Sequence, residues 1–395
     1  MSEWLARAAR ERPHHPAVVA GGRSVTYAEL DARAGELAAR FEPGQAVPIA
    51  LPPGIAFSEL LHAAWRAGAV AAPLDPAAPA PPLDALGSDR AGLVIHTSGT
   101  TGEPKAVRLT LENLAASARA SAEALGTDPD DRWLCPLPLH HVAGLSILVR
   151  SAVNATTAVL HERFDTSRVK AALETGEVTL ASLVPTMLIR LREAGLRAAP
   201  GLRTIALGGG PIPPSLLDWA ARAGIPVTPV YGMTETASQV IAGEPGRPLA
   251  GVRLEVAADG ELLIAGPMVA RAALGPDGWL HTGDRGRLDA AGLLHIEGRI
   301  KELIVTGGEK VAPVEVEQVL QAHPEVADAG VAGRPDPEWG EAVVAFVVPR
   351  DGLRDDELRN WCRSRLAPHK VPKRFELVES LPRTANGKLQ RERLI

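Results

Sequence analysis

Apolar positions along this chain recur in two alternating rhythms. Short apolar runs bounded by turn residues predict strands, and amphipathic stretches with apolar positions three and four apart predict the helices between them. A strand at 46–51 precedes a helix at 55–67, and the run LVI at 93–95 precedes a helix at 111–125. A strand at 179–184 precedes a Pro-started helix at 185–193, and 204–207 precedes 213–223. Such βα alternation predicts a largely parallel sheet flanked by helices, with ligands at the carboxyl ends of its strands. The Pro- and Ala-rich stretch at 71–82 reads as a surface connector. From about residue 251 the rhythm shortens to VRLEVAADGELLIAG and RLDAAGLLHIEGR, with tight turns at Asp259-Gly260 and Ala291-Gly292. After Gly298 come a strand at 300–305, a glycine turn at Gly307-Gly308, a Pro-started helix at 313–322 and strands at 326–332 and 342–348. The fold class expected is α/β. A large N-terminal domain, 1–298, holds βα layers plus a small β-barrel-like part, and a small α+β C-terminal domain fills 299–395.

Composition narrows the function classes. With 46% hydrophobic and 23% charged residues among 395, the chain is globular. A net charge of −5 gives no footing for a general nucleic-acid surface. Cys135 and Cys362 lie far apart and suit a reducing compartment without a disulfide framework. The N-terminal MSEWLARAARERP reads as an amphipathic helix rather than a signal peptide, and no apolar run reaches the length of a membrane span. A cytoplasmic location is expected. Only seven lysines stand against 35 arginines, yet Lys105, Lys301 and Lys388 fall inside the three most distinctive stretches. A compact, mobile ammonium is hard to replace with arginine where one phosphate or carboxylate oxygen must be reached.

The candidate chemistry sits in those stretches. HTSGTTGEPKA at 96–106 packs hydroxyls, glycines and Lys105 into a loop after a strand, a cradle for a polyphosphate. Its spacing differs from G-x-x-x-x-G-K-[ST], so it is a phosphate loop of another kind. LCPLPLHHVAGLS at 134–146 places His140 and His141 amid apolar residues, with no third ligand at recognisable spacing for a metal. Either a packed structural pair or a pocket histidine fits. TIALGGG ends in Gly208, Gly209 and Gly210, which leave room for a flat ligand or a close backbone approach, or form a loose loop. In PVYGMTETAS, Tyr231 can stack on a purine, Thr234 and Thr236 can donate to phosphate oxygens, and Glu235 can hold Mg²⁺. GWLHTGD ends in Asp284, which either accepts ribose hydroxyls or makes an Asx turn. PRTANGKLQRERL, at 382–394, carries Lys388 on what reads as an exposed terminal loop.

Taken in order, TSGTTGEPKA, YGMTETAS, GWLHTGD, GRIKELIVTGGEK and PRTANGKL resemble the adenylate-forming superfamily of acyl-CoA synthetases, peptide-synthetase adenylation domains and luciferases. The resemblance implies a two-step reaction. A carboxylate attacks the α-phosphate of ATP·Mg²⁺ to give an acyl-adenylate and pyrophosphate; the small domain then swings on a hinge, and a thiol displaces AMP. By motif match, Thr97, Ser98, Gly99, Thr100, Thr101, Gly102 and Lys105 would hold the β,γ-phosphates, and Thr234 the α-phosphate. Glu235 would hold the metal, Tyr231 the adenine, and Asp284 with Arg299 the ribose, with Gly232 also in the ATP site. Lys301 matches the hinge, Gly308 the thiol tunnel, and Lys388 the lysine that bridges carboxylate and α-phosphate. LPLHHVAGLSILVRS, SLVPTMLIRLRE and LGGGPIPPSLL further resemble the o-succinylbenzoate–CoA ligases of menaquinone biosynthesis. That branch implies His141 gating the acyl pocket and Gly208–Gly210 bordering an aromatic ring. A dicarboxylic substrate also needs a cation for its second carboxylate; either Arg190 reaches it, directly or through water, or Arg190 is a surface arginine on the helix after Pro185. The implied partners are small molecules (o-succinylbenzoate, ATP and the co-substrate CoA), with no nucleic acid and no membrane span, and a homodimer is admitted. Ala106 stands where glycine is usual, and the region before the phosphate loop is shorter than in most relatives. The alternative readings are another aryl- or acyl-CoA ligase, or a stand-alone adenylation domain that loads a carrier protein.

Overall fold

The structure, a computed structural model, describes residues 3–78, 92–98, 104–350, 353–383 and 389–394. Its largest sheet has nine strands. From one edge they are Arg247–Pro248, Ser238–Ala242, Val227–Met233, Thr204–Leu207, Leu180–Leu183, Arg132–Cys135, Thr157–Leu160, Pro16–Ala20 and Arg23–Thr26. The inner strands are parallel and the outer pairs antiparallel. Thr157–Leu160, Leu180–Leu183 and Thr204–Leu207 are buried at every position, as strands covered on both faces must be.

The expected single parallel sheet is in fact two. Ala46–Ile49, Val70–Pro73, Leu93–Ser98 and Pro104–Leu109 form a separate four-stranded sheet, parallel but for its last pair. Apolar spacing marks these strands as buried but says nothing about which neighbours they choose. The connector reading of 71–82 is corrected at its start, because Val70–Pro73 is a wholly buried strand. Residues 79–82 lie outside the described part.

Several helices form where the spacing placed them. Leu111–Leu125 starts at Thr110, whose hydroxyl accepts from Asn113 N at 3.1 Å while Asn113 Oδ1 accepts from Thr110 N at 2.9 Å. The helix stops at Gly126, where φ is +63°. Pro185 opens Pro185–Glu193 in the first turn, where a backbone N–H has no intrahelical acceptor to lose. The N-terminal helix Trp4–Glu11 buries Leu5 and Ala8, and Trp4 meets Trp65 edge-on at 5.7 Å. Among the described residues, no helix is long and apolar enough to cross a membrane.

The hairpin region is a four-stranded antiparallel sheet: Arg253–Val256, Glu261–Ala265, Leu280–Leu288 and Leu294–Arg299. Its turns use Gly260 and Gly292 at positive φ, as the Asp-Gly and Ala-Gly pairs require. After Arg299 a new five-stranded sheet begins, with helices Pro313–Gln321 and Asp355–Arg363 and a core around Val331, Val343, Ala345 and Leu358. The expected strand at 300–305 is shorter. Ile300–Glu302 is one turn of 3-10 helix, and the strand is Ile304–Thr306. No neighbouring strand pairs with 300–302 among the described residues, so its backbone closes on itself, Leu303 N donating to Ile300 O at 3.2 Å.

Candidate active site

Four adjacent parallel strands end on one side in loops that carry the candidate residues. Arg132–Cys135 leads to His140 and His141, Leu180–Leu183 to the helix bearing Arg190, Thr204–Leu207 to Gly208–Gly210, and Val227–Met233 to Thr234–Thr236. Carboxyl ends of parallel strands are where open α/β sheets bind ligands.

The turn after Met233 is held under strain. A Cβ on Gly232 would lie 2.0 Å from Ser238 O and 2.6 Å from Gln239 Cα, so glycine is required where the two strands of this hairpin cross. Past the single helical turn Thr234–Thr236, Ala237 and Ser238 take φ of +52° and +103°. Such conformations persist only where neighbours impose them, and they cluster at functional sites. Here Thr236 Oγ1 donates to Ser238 O at 2.7 Å, Ser117 Oγ to Ala237 O at 2.9 Å, and Arg150 Nη2 to Ser238 Oγ at 3.2 Å. The Thr236 hydroxyl is therefore corrected from phosphate donor to part of the turn, since it is buried and engaged there.

Glu235 projects from this turn toward the second sheet. Its Oε1 lies 3.4 Å from Lys105 Nζ, the Lys105 side chain being exposed and Glu235 mostly covered. Two motifs 130 residues apart thus meet as a carboxylate and an ammonium. Beside them, Tyr231 donates its hydroxyl to Asp284 Oδ2 at 2.7 Å, and Arg299 Nε reaches Asp284 Oδ1 at 2.8 Å. Asp284 is 5% exposed and sits opposite Arg299 in the strand register. Burial, and then the Asp284 charge, raises the Tyr231 phenol above its ordinary range, so it acts as a fixed donor. An ion-paired carboxylate replaces the Asx-turn alternative for Asp284.

His140 and His141 stand with ring centroids 4.3 Å apart, tilted by 53°. Burial, reinforced by His140 and opposed by Asp75, lowers His141 to about 4, so it is neutral at neutral pH. The three glycines differ from one another. A Cβ on Gly208 would meet Val230 O at 2.5 Å, Gly209 has φ of +82°, and Gly210 faces open space. Thr97 Oγ1 donates to Lys105 O at 3.3 Å, and Ser98 pairs with Pro104 across the strand pair. Lys301 is exposed on the 300–302 turn, and Gly308 turns the chain at φ of +84° with open space beside it. Arg190 lies exposed in the last turn of its helix, the surface placement left open above, and its side chain makes no hydrogen bond or ion pair among the described residues. Gly99, Thr100, Thr101, Gly102 and Lys388 lie outside the described residues.

The sequence reading passed over Arg150. It is 3% exposed on helix Val142–Asn154, its guanidinium 5.0 Å from the centre of the Trp133 ring, and it pairs with no carboxylate among the described residues. Burial lowers it to about 10, which leaves it charged at neutral pH. An arginine inside the apolar run GLSILVRSAV was the available signal.

Comparison with known proteins bears on this geometry directly. A family model described as AMP-binding enzyme matches residues 5–89 and 81–272, and one described as AMP-binding enzyme C-terminal domain matches 315–388. The chain belongs to the AMP-binding enzyme family. This AMP-binding enzyme is 41% identical over 344 residues to 2-succinylbenzoate–CoA ligase of Bacillus licheniformis, covering 80% of this chain and 72% of that one. Among solved structures it resembles o-succinylbenzoate CoA synthetase from Bacillus subtilis in complex with its acyl-adenylate intermediate. The TM-score is 0.89 at 33% identity, over all of this chain and 98% of the other. The same Bacillus subtilis enzyme with ATP and magnesium ion matches with a TM-score of 0.88. The adenylate-forming resemblance and the α/β fold class both stand.

Proposed function

We propose that this AMP-binding enzyme is an ATP-dependent acid–thiol ligase that adenylates o-succinylbenzoate and transfers the acyl group to CoA, releasing AMP and pyrophosphate. The observation that carries the reading is the meeting of Lys105 with Glu235 beside the Tyr231–Asp284–Arg299 cluster. On the roles that the motifs assign, Lys105 is a phosphate-binding cation, Glu235 a metal-binding carboxylate and Asp284 a ribose-binding carboxylate, and the two clusters are linked by the short chain from Tyr231 to Glu235. The relatives named above, at 41% and 33% identity, supply the substrate class.

In the first step a carboxylate oxygen of the acid forms a bond to the α-phosphorus of ATP, and pyrophosphate leaves. Lys105 and the loop before it neutralise the β,γ-phosphates, Thr234 donates to the α-phosphate, and Asp284 with Arg299 fixes the ribose while Tyr231 flanks the base. Lys388 neutralises charge that builds on the pentavalent phosphorus. Magnesium is commonly held by one or two carboxylates plus substrate phosphates. Glu235 fits that pattern, since no group of three or more His, Cys, Asp or Glu among the described residues could cage the ion alone. When bound, the ion supplies further charge neutralisation on the phosphates. In the second step the 299–395 domain swings about Lys301, the thiol of CoA enters past Gly308, a C–S bond forms, and AMP leaves with the acyl C–O bond broken. Neutral His141 and the open face of Gly210 would border the aromatic ring.

The second carboxylate of the acid needs a cation, because a bare anion does not enter an apolar pocket. Arg190→Ala should raise the KM for o-succinylbenzoate far more than that for ATP. Equal effects would remove Arg190 and turn attention to Arg150, the buried arginine with no acid partner among the described residues.

The reading is tested by mass spectrometry of products from purified protein, ATP, Mg²⁺, CoA and an acid panel of o-succinylbenzoate, benzoate and medium-chain acids. A dominant o-succinylbenzoyl-CoA peak is expected. Adenylate without thioester would mean a carrier protein as acceptor, and turnover of another acid would keep the chemistry while changing the substrate.

A further inference from the structure

Three residues beyond position 388, Arg391 is largely buried, and its contacts have no part in the chemistry above. Its Nε donates to Glu302 Oε2 at 3.0 Å, on the single turn Ile300–Glu302. Its Nη1 donates to Glu317 Oε1 on helix Pro313–Gln321, and also to the carbonyl of Val331 at 2.5 Å. Glu317 is itself buried, and its Oε1 accepts from Val331 N at 2.8 Å. One guanidinium therefore joins four elements: the chain end, the turn that carries Lys301, a helix and strand Val326–Asp336. A planar fork with five donors can do this, whereas an ammonium cannot reach both acids and a carbonyl at once.

The other side of the 384–388 segment is anchored to the same strand. Arg383 Nη2 lies 2.8 Å from both carboxylate oxygens of Asp328, Arg383 bridges to Leu389, and Gln390 N donates to Pro382 O at 2.9 Å. Leu381, Leu389 and Leu394 pack on the sheet around Val344 and Phe346. Packing and Asp328 hold the chain end on its sheet, and the Arg391–Glu302 contact adds a direct bond between the chain end and the hinge turn.

We propose that Arg391 is a positioning residue that couples the chain end at 389–394 to the hinge turn 300–302, and that adenylation, which by motif match uses Lys388, depends on this coupling. The proposal rests on the adenylation reading above. It separates two half-reactions that share a fold but not a lysine: adenylation needs Lys388 in place, and thioester formation does not. A clamp that merely stabilised the small domain would affect both alike.

The test measures pyrophosphate release from ATP, Mg²⁺ and o-succinylbenzoate, and separately o-succinylbenzoyl-CoA formation from supplied o-succinylbenzoyl-adenylate and CoA. It compares the full-length protein with Arg391→Gln, Arg391→Lys, Glu302→Gln and the Arg391→Gln/Glu302→Gln double variant. Glu302→Gln is the decisive variant, because it leaves the buried Arg391–Glu317 pair intact and the fold with it. Adenylation kcat should fall about tenfold to a hundredfold in Arg391→Gln and Glu302→Gln, the scale of a misplaced catalytic group. The KM for ATP and the thioester half-reaction should each stay within about threefold. The double variant should be no worse than the worse single one, as coupled residues give, and Arg391→Lys should recover part of the rate. Parallel loss of both half-reactions in Glu302→Gln, or loss of neither, overturns the coupling. Absence of adenylate from the unaltered protein with every acid in the panel overturns the functional reading instead, and the coupling with it.

Discussion

Asp284 shows how one carboxylate is prepared for a ligand. The Tyr231 hydroxyl at 2.7 Å and Arg299 Nε at 2.8 Å fix the orientation of a carboxylate that the proposed function assigns to the ribose. Asp284→Asn should weaken AMP binding, read by calorimetry, about tenfold to a hundredfold, the worth of hydrogen bonds to a charged group. Unchanged affinity would remove Asp284 from the nucleotide site. Two histidines make a second prediction at this scale. Burial lowers His62 to about 4, and lowers His141 to about 4 by burial and then by His140. A folded-state value below the unfolded value of about 6.5 leaves stability intact above pH 6.5 and removes it as pH falls toward 4, by up to about 1.4 kcal/mol per pH unit for each group. His62, 4% exposed and edge-on to Trp65, is the cleaner probe. Urea unfolding of His62→Leu from pH 7 to 4 should show a shallower loss than the parent, and an identical slope would mean that His62 is not protonated on unfolding.

Among the elements, the hairpin Val227–Met233 with Ser238–Ala242 and the glycine run after Thr204–Leu207 look alike in sequence and differ in what they demand. Gly232→Ala would drive a Cβ into Ser238 O at 2.0 Å, with backbone on both sides unable to yield. Its thermal unfolding should show a loss of about 3 kcal/mol or more, beyond ordinary overpacking. Gly210→Ala meets nothing within 4 Å. Its stability should change by less than about 0.5 kcal/mol. If an aromatic ring lies against it, kcat/KM for o-succinylbenzoate should fall while a short aliphatic acid is spared. Equal turnover of both acids would move the ring elsewhere.

For the whole molecule, the hairpin sheet ends at Arg299 and a separate sheet begins at Ile304, with the turn 300–302, exposed at Lys301, and Leu303 between them. Rotation there should decide which half-reaction the enzyme can perform. Proline fixes φ and removes an N–H, so Lys301→Pro restricts rotation without touching substrate. Adenylate formation should stay within about threefold, whereas thioester formation should slow about tenfold or more, as for a gated step. Equal slowing of both would argue that 300–302 is not the pivot.

The sequence by itself determined whatever is local. The capping box at Thr110, the stop at Gly126, Pro185 at a helix start and the glycine turns at 260 and 292 are all decided within a few residues by sterics and hydrogen bonding. So were the stretches that point to nucleotide chemistry, because each motif gathers its donors and charges within a few consecutive residues. Tertiary structure alone decided which strands share a sheet, that Thr236 is consumed by its own turn, and that Arg150 is buried without an acid among the described residues. It also brought Lys105 to Glu235 across 130 residues and Arg391 to Glu302 across 89. Periodicity reports whether a residue is buried, but the partner it meets there depends on how sheets and helices pack, and that is written in no single stretch of the chain.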